Sequence, residues 1–213
     1  MSDSLICGVL LALSGGGMDA YSYIFRDHVF ANAQTGNMLL FGVNLASGDM
    51  PQAVKYFWPI LAFAAGIFFA DMTKNKGKFN KLHWRQISVA IEAVILIAVA
   101  FMPEGYNQLA NALTSFACGI QVESFRKIHG NVIATTMCIG NMRSGTFYLD
   151  EFIHKREKRF LRKTALYYGI IVAFVCGAII ESILLKSCRQ YAILMSTLLL
   201  VVVFLIMHIP ADE

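Results

Sequence analysis

Charge is what this 213-residue sequence has least of. Asp, Glu, Lys and Arg make up 15% of it, whereas a soluble domain carries about a quarter. Apolar residues fill 57%, more than one water-soluble core buries, so a soluble globular domain is excluded and the membrane class follows. Paired cysteines are missing as well. Cys7, Cys118, Cys138, Cys176 and Cys188 show no C-x-x-C spacing, which removes a redox or metal framework and leaves small buried apolar residues. The five histidines are scattered, so no metal or other cofactor is expected. There is no nucleophile–base pair, H-E-x-x-H helix, Gly-rich phosphate loop or carboxylate pair at enzyme spacing. An intramembrane enzyme needs such a set, and a non-enzymatic protein is expected. The net charge of +4 does not point to nucleic acid, because the basic residues lie between apolar spans, where they act as topology signals. No Lys or Arg precedes the apolar run from Leu5 to Leu13, so a retained first span is expected rather than a cleaved leader.

What is present, against this apolar background, is a polar motif written twice. Residues 28–38 read H-V-F-A-N-A-Q-T-G-N-M and residues 131–142 read N-V-I-A-T-T-M-C-I-G-N-M. Val29-Phe30-Ala31 match Val132-Ile133-Ala134, and Gly36-Asn37-Met38 match Gly140-Asn141-Met142, with one inserted residue between the two blocks. Upstream, Asp19 falls opposite Glu123 and Gly15 opposite Gly119 when the spacing of the second block is used.

Six segments are long and apolar enough to cross a bilayer, at about 4–25, 54–73, 87–103, 107–125, 164–185 and 190–209. The first is interrupted by Ser14-Gly15-Gly16-Gly17. Two basic segments, 74–85 and 155–163, both expected as loops, hold five and six of the 18 Lys and Arg residues, and the positive-inside tendency places both in the cytoplasm. That parity holds only if 130–149 enters the membrane and returns, or is otherwise broken. Its polar residues agree, since irregular backbone at membrane depth survives only inside protein or beside a wet cavity. The same logic applies to 29–46. Each half then has three spans and one broken segment, and an odd number inverts one half relative to the other. Matching segments carry opposite charge bias, as inversion requires: 155–163 corresponds to 47–53, which has no basic residue, and 74–85 to Lys186–Arg189, which has two. The expected fold is all-α and polytopic, with six full spans plus two re-entrant segments, as two inverted repeats (about 4–103 and 107–209) in a single membrane domain, 1–213.

The chemistry follows from the motif. A helix starting near Thr35 or Gly140 presents unsatisfied N–H groups and a positive dipole end, and two such ends near mid-membrane form the usual site of inverted-repeat transporters. Asn32, Gln34, Thr35, Gly36, Asn37, Thr135, Thr136, Gly140 and Asn141 are the candidate solute-binding residues. The competing reading is that Asn and Thr only satisfy neighbouring backbone. Acids within spans are functional candidates by default, which assigns proton or cation coupling to Asp19 and Glu123; the alternative is ion pairing with Arg26 or Arg126. Glu92 is a weaker candidate, Asp71 and Glu181 are placed near the interface, and Arg143 is read as an anion contact or as a stop against lipid.

The loose G-x-x-D-A at Gly16–Ala20, the F-A-N-A-Q-T-G-N run at 30–37 and the A-T-T-x-x-x-G-N run at 134–141 resemble the YoaK family of small bacterial integral membrane proteins, grouped as a domain of unknown function, across essentially the whole chain. The resemblance implies a bacterial cytoplasmic (inner) membrane protein with six or seven spans, and it brings no activity with it. With both termini on the cytoplasmic side, the reading from the residues is a small secondary transporter of a polar solute. A channel or passive facilitator, or a non-transporting scaffold, is the alternative. The partners expected are the lipid bilayer, a small polar solute and a second copy in a homodimer, with no nucleic acid.

Overall fold

The computed structural model describes residues 4–75, 83–128 and 130–208. Lys76, Lys78 and Lys81 of the first basic segment, and the outermost residues at both chain ends, lie outside them. Eight α-helices are present among the described residues: α1 (Leu5–Phe25), α2 (Gln34–Ala46), α3 (Met50–Asn75), α4 (Trp84–Ala100), α5 (Asn107–Ser124), α6 (Cys138–Lys155), α7 (Lys158–Cys188) and α8 (Leu194–Ile206). A two-residue antiparallel ladder, β1 (Lys127–Ile128) with β2 (Asn131–Val132), precedes the second polar segment. Three helical stretches are long and apolar enough to cross a membrane by themselves: Leu5–Phe25, Met50–Lys74 and Lys158–Ile206. Helices α4 and α5 have 17 and 18 residues. Helix α5 is also polar, and it buries Asn111, Thr114, Ser115 and Gln121 inside the bundle.

Helix α1 does not break at its glycine run, contrary to the interruption expected there. Glycine weakens a helix by about 1 kcal/mol, but here it permits contact that no side chain could. A Cβ on Gly16 would collide with the carbonyl oxygen of Phe174 in α7, and one on Gly177 with that of Leu13 in α1. The same crossing recurs between α3 and α5, where Gly119 lies on the carbonyl of Phe63 and Gly66 on that of Phe116. Small residues that bring helix backbones together are the usual means of packing within lipid. The correspondence also sets the register of the two crossings: Gly16 plays the part of Gly119, not Gly15. The residue three past Gly119 is Val122, so Asp19 is matched by Val122 and Glu123 falls one position beyond.

The ends of the helices sort into two groups. At one end, Gly8 of α1 packs on Ile128, Arg85 lies over the Phe125 ring, Gln86 bonds His208 at 3.1 Å, Lys74 approaches Glu123, and Tyr167 donates to the Val132 carbonyl at 3.2 Å. At the other end, Arg26 reaches Met102, Pro103 and Asn107, Tyr21 donates to the Gln190 carbonyl, and Arg189 pairs with Glu104 at 2.7 Å. Residues flanking both basic segments therefore share one end of the bundle, with Glu104 at the opposite one. Segment 26–49 starts and finishes at the Glu104 end, and segment 125–157 starts and finishes at the other.

Helix α6 passes into α7 through Arg156, in the left-handed region at φ 54°, and Glu157. The basic stretch expected as a loop is thus mostly the first turns of α7, whose 31 residues exceed the hydrocarbon thickness at 1.5 Å per residue. The core holds Leu11, Met18, Tyr21, Leu96, Cys118 and Leu200. The outward faces are apolar, with Leu39, Phe68, Val94, Val172 and Ile183 all exposed, while Asn37, Glu92, Gln121 and Glu181 are buried. A water-soluble protein has the reverse arrangement.

Candidate functional site

The first polar segment leaves α1 through Asp27 and His28, both in the left-handed region at φ 63° and 57°, which turn the chain back towards the bundle. It then runs extended. Asp19 Oδ1 accepts from the Asn32 backbone N–H at 2.7 Å, and the backbone N–H groups of Ala31 and Ala33 bond the same carboxylate. Asn32 donates from Nδ2 to the Gly15 carbonyl at 3.0 Å. Once α2 has begun, Asn37 reaches back to Phe30 and pairs with its backbone as a neighbouring strand would. Its Oδ1 accepts from Phe30 N–H at 3.0 Å and its Nδ2 donates to Phe30 C=O at 2.7 Å. Gln34 donates to the Ala31 carbonyl at 2.8 Å and accepts from Asn37 Nδ2 at 2.9 Å. Gly36 lies so close to the Phe30 ring that a Cβ would sit 2.9 Å from it. Backbone without a regular ladder is thereby satisfied away from water.

The second segment repeats the device with a different anchor. After the ladder, which turns at Gly130 (φ 72°), Asn141 donates to the Ala134 carbonyl at 2.7 Å. That carbonyl lies seven residues upstream, as Phe30 does from Asn37. No acid holds this segment. Gln121 of α5 donates to Thr135 Oγ1 at 3.2 Å and to the Leu11 carbonyl at 3.0 Å.

The two segments border one cavity of about 1100 Å³. Asp19, Asn32, Gln34 and Thr35 line it from the first half, and Thr136, Gly140 and Asn141 from the second. Gly36, Asn37 and Thr135 are not part of the lining; they brace the backbone that is. Helices α2 and α6 both start at the cavity, at Gln34 and Cys138, and neither start has a side-chain cap. At α2 the Gln34 and Gly36 N–H groups bond the Asn32 and Ala33 carbonyls, so the first-turn N–H groups open to a ligand are mainly those of α6. Glu123 is elsewhere. It lies 3.6 Å from Arg126 and 3.9 Å from Lys74, at the end of the bundle that carries the basic segments.

Arg143, read in the sequence as an anion contact or a stop against lipid, lines the cavity. Other residues at or near the site carry little sequence signal. The aromatic walls, Tyr23 stacked on Phe30 (centroids 4.9 Å apart) and Tyr148 on Tyr167 (5.7 Å), come from four separate stretches of chain, and only Phe30 lies in a motif. Glu181 is fully buried rather than interfacial: α7 runs on to Cys188, and the carboxylate lies against Gly17 of α1 near Ser196. Neither Glu181 nor Glu92 has a hydrogen-bond partner for its carboxylate oxygens.

An all-helical chain with apolar outer faces, inward-turned polar groups and broken segments at a central cavity is a polytopic membrane protein. This one belongs to the family described as protein of unknown function (DUF1275), whose model matches residues 7–206, the YoaK-like family that the motifs resemble. It is 28% identical over 189 residues to the UPF0700 transmembrane protein YoaK of Bacillus subtilis (strain 168), a match covering 82% of this chain and 80% of that one. No solved structure matches it.

Proposed function

We propose that this protein is a small secondary transporter that binds a polar solute between its two broken segments. In this reading α1, α3, α4, α5, α7 and α8 are full spans, 26–49 and 125–157 re-enter from opposite faces, and the halves are inverted repeats. Both basic segments and both termini face the cytoplasm. The observation that carries the proposal is the convergence of two matched segments, returning to opposite ends of the bundle, on one cavity with uncapped helix starts. Transporters built from inverted repeats bind at such a junction. The paired glycine crossings support the repeat. Of the two acids matched in sequence only Asp19 borders the cavity, so ion coupling rests on Asp19 and not on Glu123.

A structural role is favoured for Asn37 and Asn141 themselves, since their amides donate to the backbone of their own segments. The scaffold reading extends that role to the whole motif. Uptake into proteoliposomes separates the possibilities. The carrier predicts saturable, gradient-driven uptake that is lost in Asp19→Asn and kept in Glu123→Gln. Saturable uptake indifferent to the gradient would make the protein a facilitator, and no uptake across a broad panel of solutes would leave the scaffold.

A further inference from the structure

Resting on the carrier reading, we infer that the solute is an organic anion with an aromatic-sized apolar body, and that Arg143 is the residue that selects its charge. The electrostatics of the cavity lead there. The one carboxylate that lines it among the described residues, Asp19, has an oxygen engaged by the Asn32 backbone N–H at 2.7 Å, and that group is already assigned to ion coupling. Positive potential is not spent in the same way. Arg143 is exposed at the cavity wall and forms no ion pair or hydrogen bond among the described residues. It follows Gly140 by three residues, so both lie on one face of α6. Gly140 has open space where a side chain would stand, and an oxygen atom can approach the uncapped backbone there. Thr136 lines the same wall, with its hydroxyl oxygen buried behind it. A guanidinium fork and free N–H groups within a few residues suit a carboxylate-type head.

The walls describe the rest of the ligand. The Tyr23–Phe30 stack comes from the first half and the Tyr148–Tyr167 stack from the second. Phe147 and Phe174 add further apolar surface. A cavity of about 1100 Å³ is far larger than an inorganic anion needs and matches the upper range of sites for organic ligands, about 300–1,000 Å³.

One ring with three heads tests this: benzoate, benzamide and benzylamine, titrated against the purified full chain in detergent and read by thermal melting. Benzoate is expected to raise the melting temperature saturably, ahead of both others. Arg143→Gln, at an exposed position, should keep its ligand-free melting temperature and lose benzoate affinity about tenfold or more, and Arg143→Lys should recover part of it. Equal response to the three heads, preference for benzylamine, no response to any, or unchanged benzoate affinity in Arg143→Gln would overturn the inference. The carrier reading fails separately. Charge-selective binding without uptake would remove transport and leave the inference standing, whereas gradient-driven uptake of benzylamine would leave transport and remove the inference.

Discussion

Arg26 shows how single residues hold this fold together away from water. It is fully buried and forms no salt bridge among the described residues; Asp27 meets it only through Asn107. Its guanidinium donates to Tyr21 Oη at 2.9 Å, to the carbonyls of Val99, Met102 and Pro103 at 3.0, 2.8 and 3.2 Å, and to Asn107 Oδ1 at 3.0 Å. The carbonyls at and just past the end of α4 carry partial negative charge, which offsets the buried cation; those of Val99 and Pro103 also accept from the backbone N–H groups of Met102 and Tyr106. Arg26→Met removes all the guanidinium bonds and leaves the Met102 carbonyl and Asn107 Oδ1 without this donor. We expect a loss of at least about 2 kcal/mol, read as a lower melting temperature in detergent; an unchanged melting temperature would contradict this role. Residue identity in the sequence marked Asp19, Asn32 and Asn37 as polar groups turned inward, and they are. It could not tell a side chain that serves backbone from one that meets a ligand, because both demand the same hydrogen-bonding groups. The matching of Asp19 with Glu123 was out by one position because it used the spacing of the second block: Gly16 with Gly119 and Val29–Ala31 with Val132–Ala134 share the shorter spacing, so the extra residue of the second half lies inside its motif, between Ala134 and Gly140.

At the scale of the element, the paired crossings α1–α7 and α3–α5 depend on glycines facing backbone, which cannot move aside as a side chain can. Gly16→Ala and Gly66→Ala should each destabilise by about 1–3 kcal/mol through overpacking. Gly42→Ala is the control, since that helical glycine has nothing within 4 Å of an added Cβ, and it should be neutral or stabilise by up to about 1 kcal/mol. Melting temperatures of the three variants test the set, and equal behaviour would remove the packing argument. Helices formed at each of the six apolar segments recognised in the sequence. What could not be read was continuity. Ser14–Gly17 looked like an interruption because glycine propensity is local, whereas the close approach of α7 is tertiary. Likewise the charges of 155–163 suggested a loop, yet a helix that outruns the hydrocarbon carries its charged turns into water.

At the scale of the whole molecule, the two broken segments give the chain a polar centre in an apolar body. Composition and the duplicated motif disclosed that centre. The aromatic walls were hidden, since residues as distant as Tyr23 and Tyr167 come to line one cavity only through the fold. The account requires the centre to be wet and shared by both halves. Two lining positions report on it: Thr35 from the first half and the native Cys138 from the second. In liposomes, with each reporter as the single cysteine of the chain, a water-soluble maleimide should modify both Thr35→Cys and Cys138. It should do so much faster than Leu39→Cys on the outward face, and one saturating solute should protect the two together. Labelling of either position no faster than Leu39→Cys, or protection of one without the other, would contradict a common solute cavity.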